Sequence, residues 1–245
     1  MKIFTFIIIH YFFSIVLANE IGTPNDVIKK TESQFRSVDN YQVDMMISIA
    51  IPAFRMPKKK YKVFFKQPDK IKIKSRGFGL LPKTGMFTSP MENFNNLTNI
   101  RFADSGNKGF NDKIILVGDL IVDSLALEMP NEYARLAFKP TVDVSIDKKN
   151  WVITQVVTKI DTLKIMEINN TFDYIDNSFY LPVRSTVEYF VKDARLTKWI
   201  NKDIGTMIGN QNEIDVKNDM VRGLISVEYS RYKINKGIKD SVFDD

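Results

Sequence analysis

The sequence predicts a mainly β protein of the α+β class, in which an antiparallel sheet is curled or closed and helices cover it. Three observations support this prediction. About ten segments alternate apolar and polar residues with a period of two, short turns separate most of them, and only two segments have helical spacing. Parallel strands would need a crossover helix between successive strands, so the pattern favours an antiparallel meander.

Residues 1–18 have the three parts of a signal peptide: a charged start, an apolar run and small residues before a polar stretch. Val16 and Ala18 occupy the small-residue positions, so cleavage is expected after Ala18. A membrane anchor is the alternative, but about 15 apolar residues are fewer than the ~20 that span a bilayer. The chain has no cysteine, which favours the periplasm of a bacterial envelope over a disulfide-rich secretory route. Residues 19–245 are expected to form one domain.

The first predicted element of the mature chain is an amphipathic helix over about residues 24–38. Thr23 suits the N-cap and Pro24 the first helical position, and the apolar residues that follow fall on one face. From Tyr41 to Ile51 the period changes to two, which predicts a long half-buried strand.

A β-hairpin with a basic face is predicted next. Residues 60–66 and 70–74 alternate lysine with apolar side chains around the turn Gln67-Pro68-Asp69. The lysines are interpreted as the solvated face of the sheet, with a contact to an anionic membrane as the functional alternative. No arginine lies among them as in a nucleic-acid groove, so no nucleic-acid partner is expected.

Residues 76–112 are rich in glycine, proline and asparagine and predict a long loop with short turns of helix. Further strands are expected at 114–117, 120–122, 142–146, 151–160, 163–168, 170–174, 183–190 and 221–232, with another segment at 133–138. The segment 192–220 predicts a second amphipathic helix or insertion. Two interpretations of that helix stay open: a lid or membrane-surface foot, and a plug that fills the sheet.

The residue types exclude most catalytic schemes. The one histidine, His10, lies in the predicted signal peptide, and there is no cysteine. Ser-His-Asp and Cys-His nucleophiles and His or Cys zinc sites therefore need residues that the mature chain lacks. No phosphate loop, nucleophile elbow or calcium loop is present, so neither a catalytic site, a metal nor a cofactor is predicted. A hydrolase using carboxylates such as Asp143 or Glu188 is the remaining enzymatic alternative.

Several segments, taken in order, resemble the periplasmic lipoprotein carrier and sorting family, the LolA-like proteins. They follow the signal peptide, first helix and long strand, and they comprise 65–73, 144–153, 180–183, and 229–237 followed by 240–243. The resemblance implies a half-open antiparallel β-barrel whose apolar concave face is covered by helices. It also implies that the protein carries lipoprotein acyl chains toward the outer membrane. The family's best-known carrier holds its lid with an arginine, for which Arg55 is the candidate here.

Two functional hypotheses follow. The first is a monomeric, non-enzymatic carrier or sensor that binds lipoprotein acyl chains or other lipids and meets membrane-protein donors or acceptors. Its apolar site is predicted at Ile47, Ile49, Phe65, Ile71, Ile73, Trp151, Ile153, Trp199 and Ile200. The second is an envelope protein–protein interaction module whose barrel is filled by its own side chains.

Overall fold

The computed structural model describes residues 22–51, 54–75, 89–103, 112–121, 140–191 and 221–244. In this part of the chain one α-helix precedes ten strands. The helix is α1 (Pro24–Phe35), and the strands are β1 (Asn40–Ile51), β2 (Phe54–Lys66), β3 (Lys70–Ser75), β4 (Leu97–Phe102), β5 (Lys113–Leu120), β6 (Pro140–Asp147), β7 (Ile153–Ile160), β8 (Leu163–Ile175), β9 (Phe179–Val191) and β10 (Val221–Ile234). Short 3-10 turns lie at Pro90–Asn93 and Asp240–Val242.

All ten strands belong to one sheet, in the order β3-β2-β1-β10-β9-β8-β7-β6-β5-β4. Every pairing is antiparallel. Strand β10 returns from the end of the chain to pair with β1, so the first and last strands meet inside the sheet. In the described chain β3 and β4 are its two edges, which makes the sheet open. The predicted half-open antiparallel architecture is confirmed.

One face of the sheet, here called the inner face, carries a row of aliphatic side chains that crosses seven strands. Successive register partners are Ile49, Ile225, Val187, Ile168, Val156, Val144 and Leu116. Direct cross-strand neighbours have Cβ atoms about 5 Å apart, so the row is continuous apolar contact. It joins the two buried clusters of the core, one on β1, β2, β9 and β10 and the other on β4–β7 with α1.

Helix α1 begins where the sequence predicts. The Thr23 side chain accepts a hydrogen bond from the Asp26 amide, and the Asp26 carboxylate accepts one from the Thr23 amide at 2.8 Å, which forms a capping box. Val27 and Ile28 are buried against the β4–β7 cluster. The helix ends at Phe35, earlier than the predicted residue 38, because Arg36 and Ser37 form a turn. The described residues contain no helix that is both long and apolar enough to cross a membrane.

Two sequence predictions need correction. The predicted loop at 76–112 contains strand β4 in addition to the expected helical turn at Pro90–Asn93. Its six residues lack a clear period because a register shift interrupts the pairing with β5 between Thr98 and Arg101. The segment predicted at 114–117 belongs to the longer strand β5, which ends at Leu120; of the segment predicted at 120–122, Ile121 is not in a strand and residue 122 lies outside the described residues. The segments predicted at 163–168 and 170–174 form the single strand β8. The predicted signal peptide, the segment at 133–138 and the helix within 192–220 lie outside the described residues.

Candidate ligand-binding cavity

A cavity of about 150 Å³ lies between the C-terminal half of α1 and the inner face of the sheet. Its walls come from α1 and the turn after it, from β1 and β2, and from strands β7–β10. The lining residues are Thr31, Gln34, Phe35, Ser37, Val38, Tyr41, Phe65, Pro90, Asn93, Trp151, Val152, Ile153, Val156, Ile168, Asn170, Phe172, Tyr180, Leu181, Pro182, Ser185 and Tyr232. The lining is mostly apolar with few polar groups, which is typical of small-molecule sites.

Aromatic rings form two sides of the cavity. On one side Phe65 packs against Phe35 at a centroid distance of 5.4 Å and stacks on Tyr41 at 5.0 Å. On the other side Phe172 stacks on Tyr180 at 5.6 Å. Such offset and tilted pairs hold large, rigid apolar surfaces in place.

A polar pair interrupts the inner face within the cavity wall. Ser185 and Asn170 are register partners on β9 and β8. The Ser185 hydroxyl donates to Asn170 Oδ1 at 2.7 Å, and the Asn170 amide donates to the Ile153 carbonyl at 3.1 Å. Because Ser185 is buried, these hydrogen bonds offset much of the cost of removing its hydroxyl from water.

Three tyrosines of β1 and β10 meet beside this wall. Burial raises the pKa of Tyr229 to about 12, an effect that a hydrogen bond with Ser185 partly offsets. Burial also raises the pKa of Tyr41 and of Tyr232 well above the usual value for a phenol. The Tyr232 hydroxyl donates to the Pro182 carbonyl at 2.7 Å. Tyr41 and Tyr232, which line the cavity, therefore present uncharged ring surface to it.

Side-chain tethers hold α1 over the cavity. The Gln67 amide donates to the carbonyls of Phe35 at 3.2 Å and Val38 at 3.3 Å, which links the end of the helix to the β2–β3 turn. On another side, the Glu32 carboxylate accepts from the Ser89 hydroxyl.

The hydrogen-bonded carboxylate of Glu32 and a cation–π contact to Trp151 also hold α1 in place. Burial tends to raise the pKa of Glu32, but the hydrogen bonds from Ser89 and Arg36 outweigh it and hold that pKa below its usual value. The Lys30 ammonium lies 4.3 Å from the centre of the Trp151 ring, within cation–π range.

The structure brings part of the predicted apolar site together. Phe65, Trp151 and Ile153 line the cavity. Ile47 and Ile49 belong to the buried cluster on β1, β2, β9 and β10, and Ile71 and Ile73 pack against that cluster. None of these four residues lines the cavity. Trp199 and Ile200 lie outside the described residues, as does the side chain of Arg55, so their roles stay predictions.

Sequence reasoning missed several cavity residues, among them Phe172, Tyr180, Asn170 and Ser185. Phe172 and Tyr180 flank the turn at 176–178, and a register shift beside Phe172 places it opposite Pro182. The alternation of Tyr41 with polar neighbours was a usable signal, since it placed that ring on the buried face. The Asn170–Ser185 pair could not be found in this way, because it depends on the register between two strands.

The carboxylates considered for hydrolysis lie elsewhere. Asp143 forms an ion pair with Lys159, and Glu188 is the register partner of Glu167; neither Asp143 nor Glu188 lines the cavity. Alternation along β6 and β9 places both on the face opposite Val144 and Val187. In the described part of the chain, no three acidic, histidine or cysteine side chains converge to hold a metal ion.

Fold and cavity together define an open antiparallel β-sheet protein with a helix-covered apolar cavity. No family model matches the sequence, and no curated protein is significantly similar to it. The structure is similar to a LolA superfamily protein from Nitrosomonas europaea, with 12% identity, a TM-score of 0.47, and coverage of 91% of this chain and 98% of that one. A DUF1329 family protein from Desulfovibrio piger gives 8% identity, a TM-score of 0.48, and coverage of 90% and 96%.

A domain from Vibrio parahaemolyticus that carries the name outer membrane lipoprotein-sorting protein gives 7% identity, a TM-score of 0.49, and coverage of 90% and 97%. At 7–12% identity the likeness is one of overall fold, and it transfers no binding property to this chain.

Proposed function

We propose that this chain is an exported, non-enzymatic carrier or sensor that binds the acyl chain of a lipoprotein or another lipid beneath α1. The observation that supports this proposal most is the largely apolar cavity with its aromatic walls. Transfer of apolar surface from water into such a cavity is favourable by about 25 cal/mol per Å². In this proposal residues 1–18 are removed on export, and the mature protein acts in the periplasm without a cofactor.

The size of the cavity bears on how a ligand enters. A volume of 150 Å³ is small beside the roughly 300–1,000 Å³ of typical small-molecule sites. It accepts one end of an acyl chain, and a longer segment requires α1 to move away from the sheet. The helix is attached at its C-terminal end by the two Gln67 hydrogen bonds, which can break and reform without disturbing the sheet.

Native mass spectrometry with lipid extraction, on protein purified from an envelope fraction, tests the proposal. We expect a copurifying lipid that leaves on denaturation, and displacement of a bound fluorescent fatty acid by that lipid. The F172K variant should weaken fatty-acid binding at least tenfold, because it brings an ammonium group to the apolar wall.

The matched control is T171K, which also introduces a lysine, at an exposed residue of the same strand that does not line the cavity. It should bind the fatty acid as the wild type does. Far-UV circular dichroism establishes that both variants fold. Equal binding by F172K and the wild type would exclude this cavity as the site.

The second candidate is the envelope protein–protein interaction module, in which the protein's own side chains fill the space inside the curved sheet. It is favoured by the β1–β10 side of the inner face, where Ile47, Val63 and Val227 are fully buried. A protein mass without bound lipid, both before and after lipids are offered, would exclude the carrier and favour this alternative.

A further inference from the structure

The hairpin β2–β3 concentrates the positive charge of the chain. Residues 58–75 contain eight lysines and one aspartate, a formal charge of +7, whereas the whole chain carries +6. The rest of the sequence is therefore close to neutral. A positive charge that merely kept the protein soluble would be distributed over the surface.

The register places these lysines on one face. Lys62 pairs with Lys74, Phe64 with Lys72, and Lys66 with Lys70, while Val63 and Ile73 point to the core. Lys60 continues the row on β2 as the partner of Met46. Here the lysine face denotes Lys60, Lys62, Lys66, Lys70, Lys72 and Lys74. It forms a flat array, with about 4.8 Å between strands and about 7 Å between successive side chains on one face of a strand.

Protection of the sheet edge explains only part of this array. Lysines on an edge strand discourage pairing with other chains, and β3 is an edge strand. From Tyr61 to Lys66 strand β2 is hydrogen-bonded to both β1 and β3 and needs no such protection, yet this stretch carries Lys62 and Lys66. Lys60, Lys62 and Lys74 are all exposed, and the contact of Lys62 with Asp44 is a long one at 3.9 Å.

Residues 240–244, here called the Asp240 segment, cover the end of the lysine face that lies next to the β2–β3 turn. Asp240 Oδ1 lies 2.9 Å from the Lys66 ammonium and 3.0 Å from that of Lys70. Lys72 donates to the carbonyl of Asp244 at 3.2 Å. The far end, with Lys60, Lys62 and Lys74, stays open to solvent, so the segment and an external anion compete for only part of the array.

We propose that the lysine face docks the protein on an anionic phospholipid surface, with the Asp240 segment limiting the strength of that contact. Lysine ammonium groups on flexible stems suit a surface of many phosphates, whereas discrete carboxylate recognition favours the arginine fork. Half-buried Phe64 lies at the centre of the array, with the Lys74 ammonium 5.4 Å from its ring centre, and offers an aromatic ring at headgroup depth. This docking is independent of whether the cavity holds a lipid.

Cosedimentation of the full-length mature chain with phosphatidylcholine vesicles, with and without phosphatidylglycerol, tests this docking. We expect binding only with phosphatidylglycerol, and its loss when NaCl rises from about 0.05 M to about 0.5 M. Each lysine near an anionic surface strengthens binding about fivefold, so K60Q/K62Q/K74Q should weaken it on the order of 100-fold. D240N, which removes the carboxylate charge held by Lys66 and Lys70, should strengthen it about fivefold.

The matched control, K113Q/K148Q/K149Q, removes three exposed lysines around the β6–β7 turn. It should bind vesicles within about twofold of the wild type. Three results would each overturn the docking proposal: equal losses in the two triple variants, equal binding to both vesicle compositions, or affinity for polyglutamate or duplex DNA as high as for the vesicles. The F172K variant should bind vesicles normally, which separates this test from that of the cavity.

Discussion

At the scale of single residues, the Asn170–Ser185 pair is a polar interruption of an otherwise aliphatic face. Ser185 is the register partner of Val227 on one side and of Asn170 on the other. Two polar side chains placed opposite each other satisfy one another, whereas either one alone would leave a donor or acceptor facing apolar groups. Removing one partner therefore leaves a polar group of the other without its hydrogen bond.

The S185A variant tests this pairing through stability. Removing the hydroxyl leaves Asn170 Oδ1 without that donor, which should lower the free energy of unfolding by about 1 kcal/mol. Urea unfolding followed by circular dichroism measures the change. The control is S178A, at an exposed serine in the β8–β9 turn, which should change stability by less than about 0.5 kcal/mol. If S185A unfolded at the same urea concentration as the wild type, the Asn170–Ser185 hydrogen bond would not stabilise the fold.

At the scale of elements, α1 is anchored asymmetrically. Its first two turns are buried through Val27 and Ile28, whereas the end of the helix borders the cavity and is held by Gln67. Phe35 also packs against Phe65 at this end, but it is only half-buried, so the C-terminal end should open first. This difference makes α1 suitable as a lid that moves from its C-terminal end.

The Q67A variant should therefore loosen the end of α1 selectively. Loss of two hydrogen bonds, about 1.4 kcal/mol together, predicts roughly tenfold faster amide exchange at Arg36 and Ser37. Hydrogen exchange measured by mass spectrometry or NMR resolves this segment. D69A changes an exposed residue of the same turn and should leave the exchange unaltered. Equal acceleration throughout the helix would mean that Gln67 stabilises the whole element and not its end.

At the scale of the molecule, the sequence predicted the sheet better than the site. Alternation along β1, β2 and β3 was strong enough to define which side chains face the core, and the capping residues Thr23 and Pro24 located α1. Strand β4 was missed because a register shift disrupts its period. The cavity was only partly predicted, since its walls join β2, β7 and β9 through pairings that no local pattern contains.

The contact between β1 and β10 joins the two ends of the chain inside the sheet, and it carries Tyr41, Tyr229 and Tyr232. A phenol in an unfolded chain ionises near pH 10, while burial raises the pKa of Tyr229 to about 12 and those of Tyr41 and Tyr232 well above their usual value. Above pH 10 the folded state therefore binds more protons than the unfolded state, and stability must fall as pH rises.

We expect the free energy of unfolding to decrease between pH 10 and 12, by up to about 1.4 kcal/mol per pH unit for each of these three tyrosines, with no loss from these groups below pH 9. Urea unfolding at several pH values measures the slope, and tyrosinate absorbance shows whether ionisation accompanies unfolding. Y229F removes one of the titrating groups and should make this slope less steep by about 1.4 kcal/mol per pH unit. If Y229F kept the wild-type slope, Tyr229 would ionise equally in the folded and unfolded chains, and the join between β1 and β10 would be open to water.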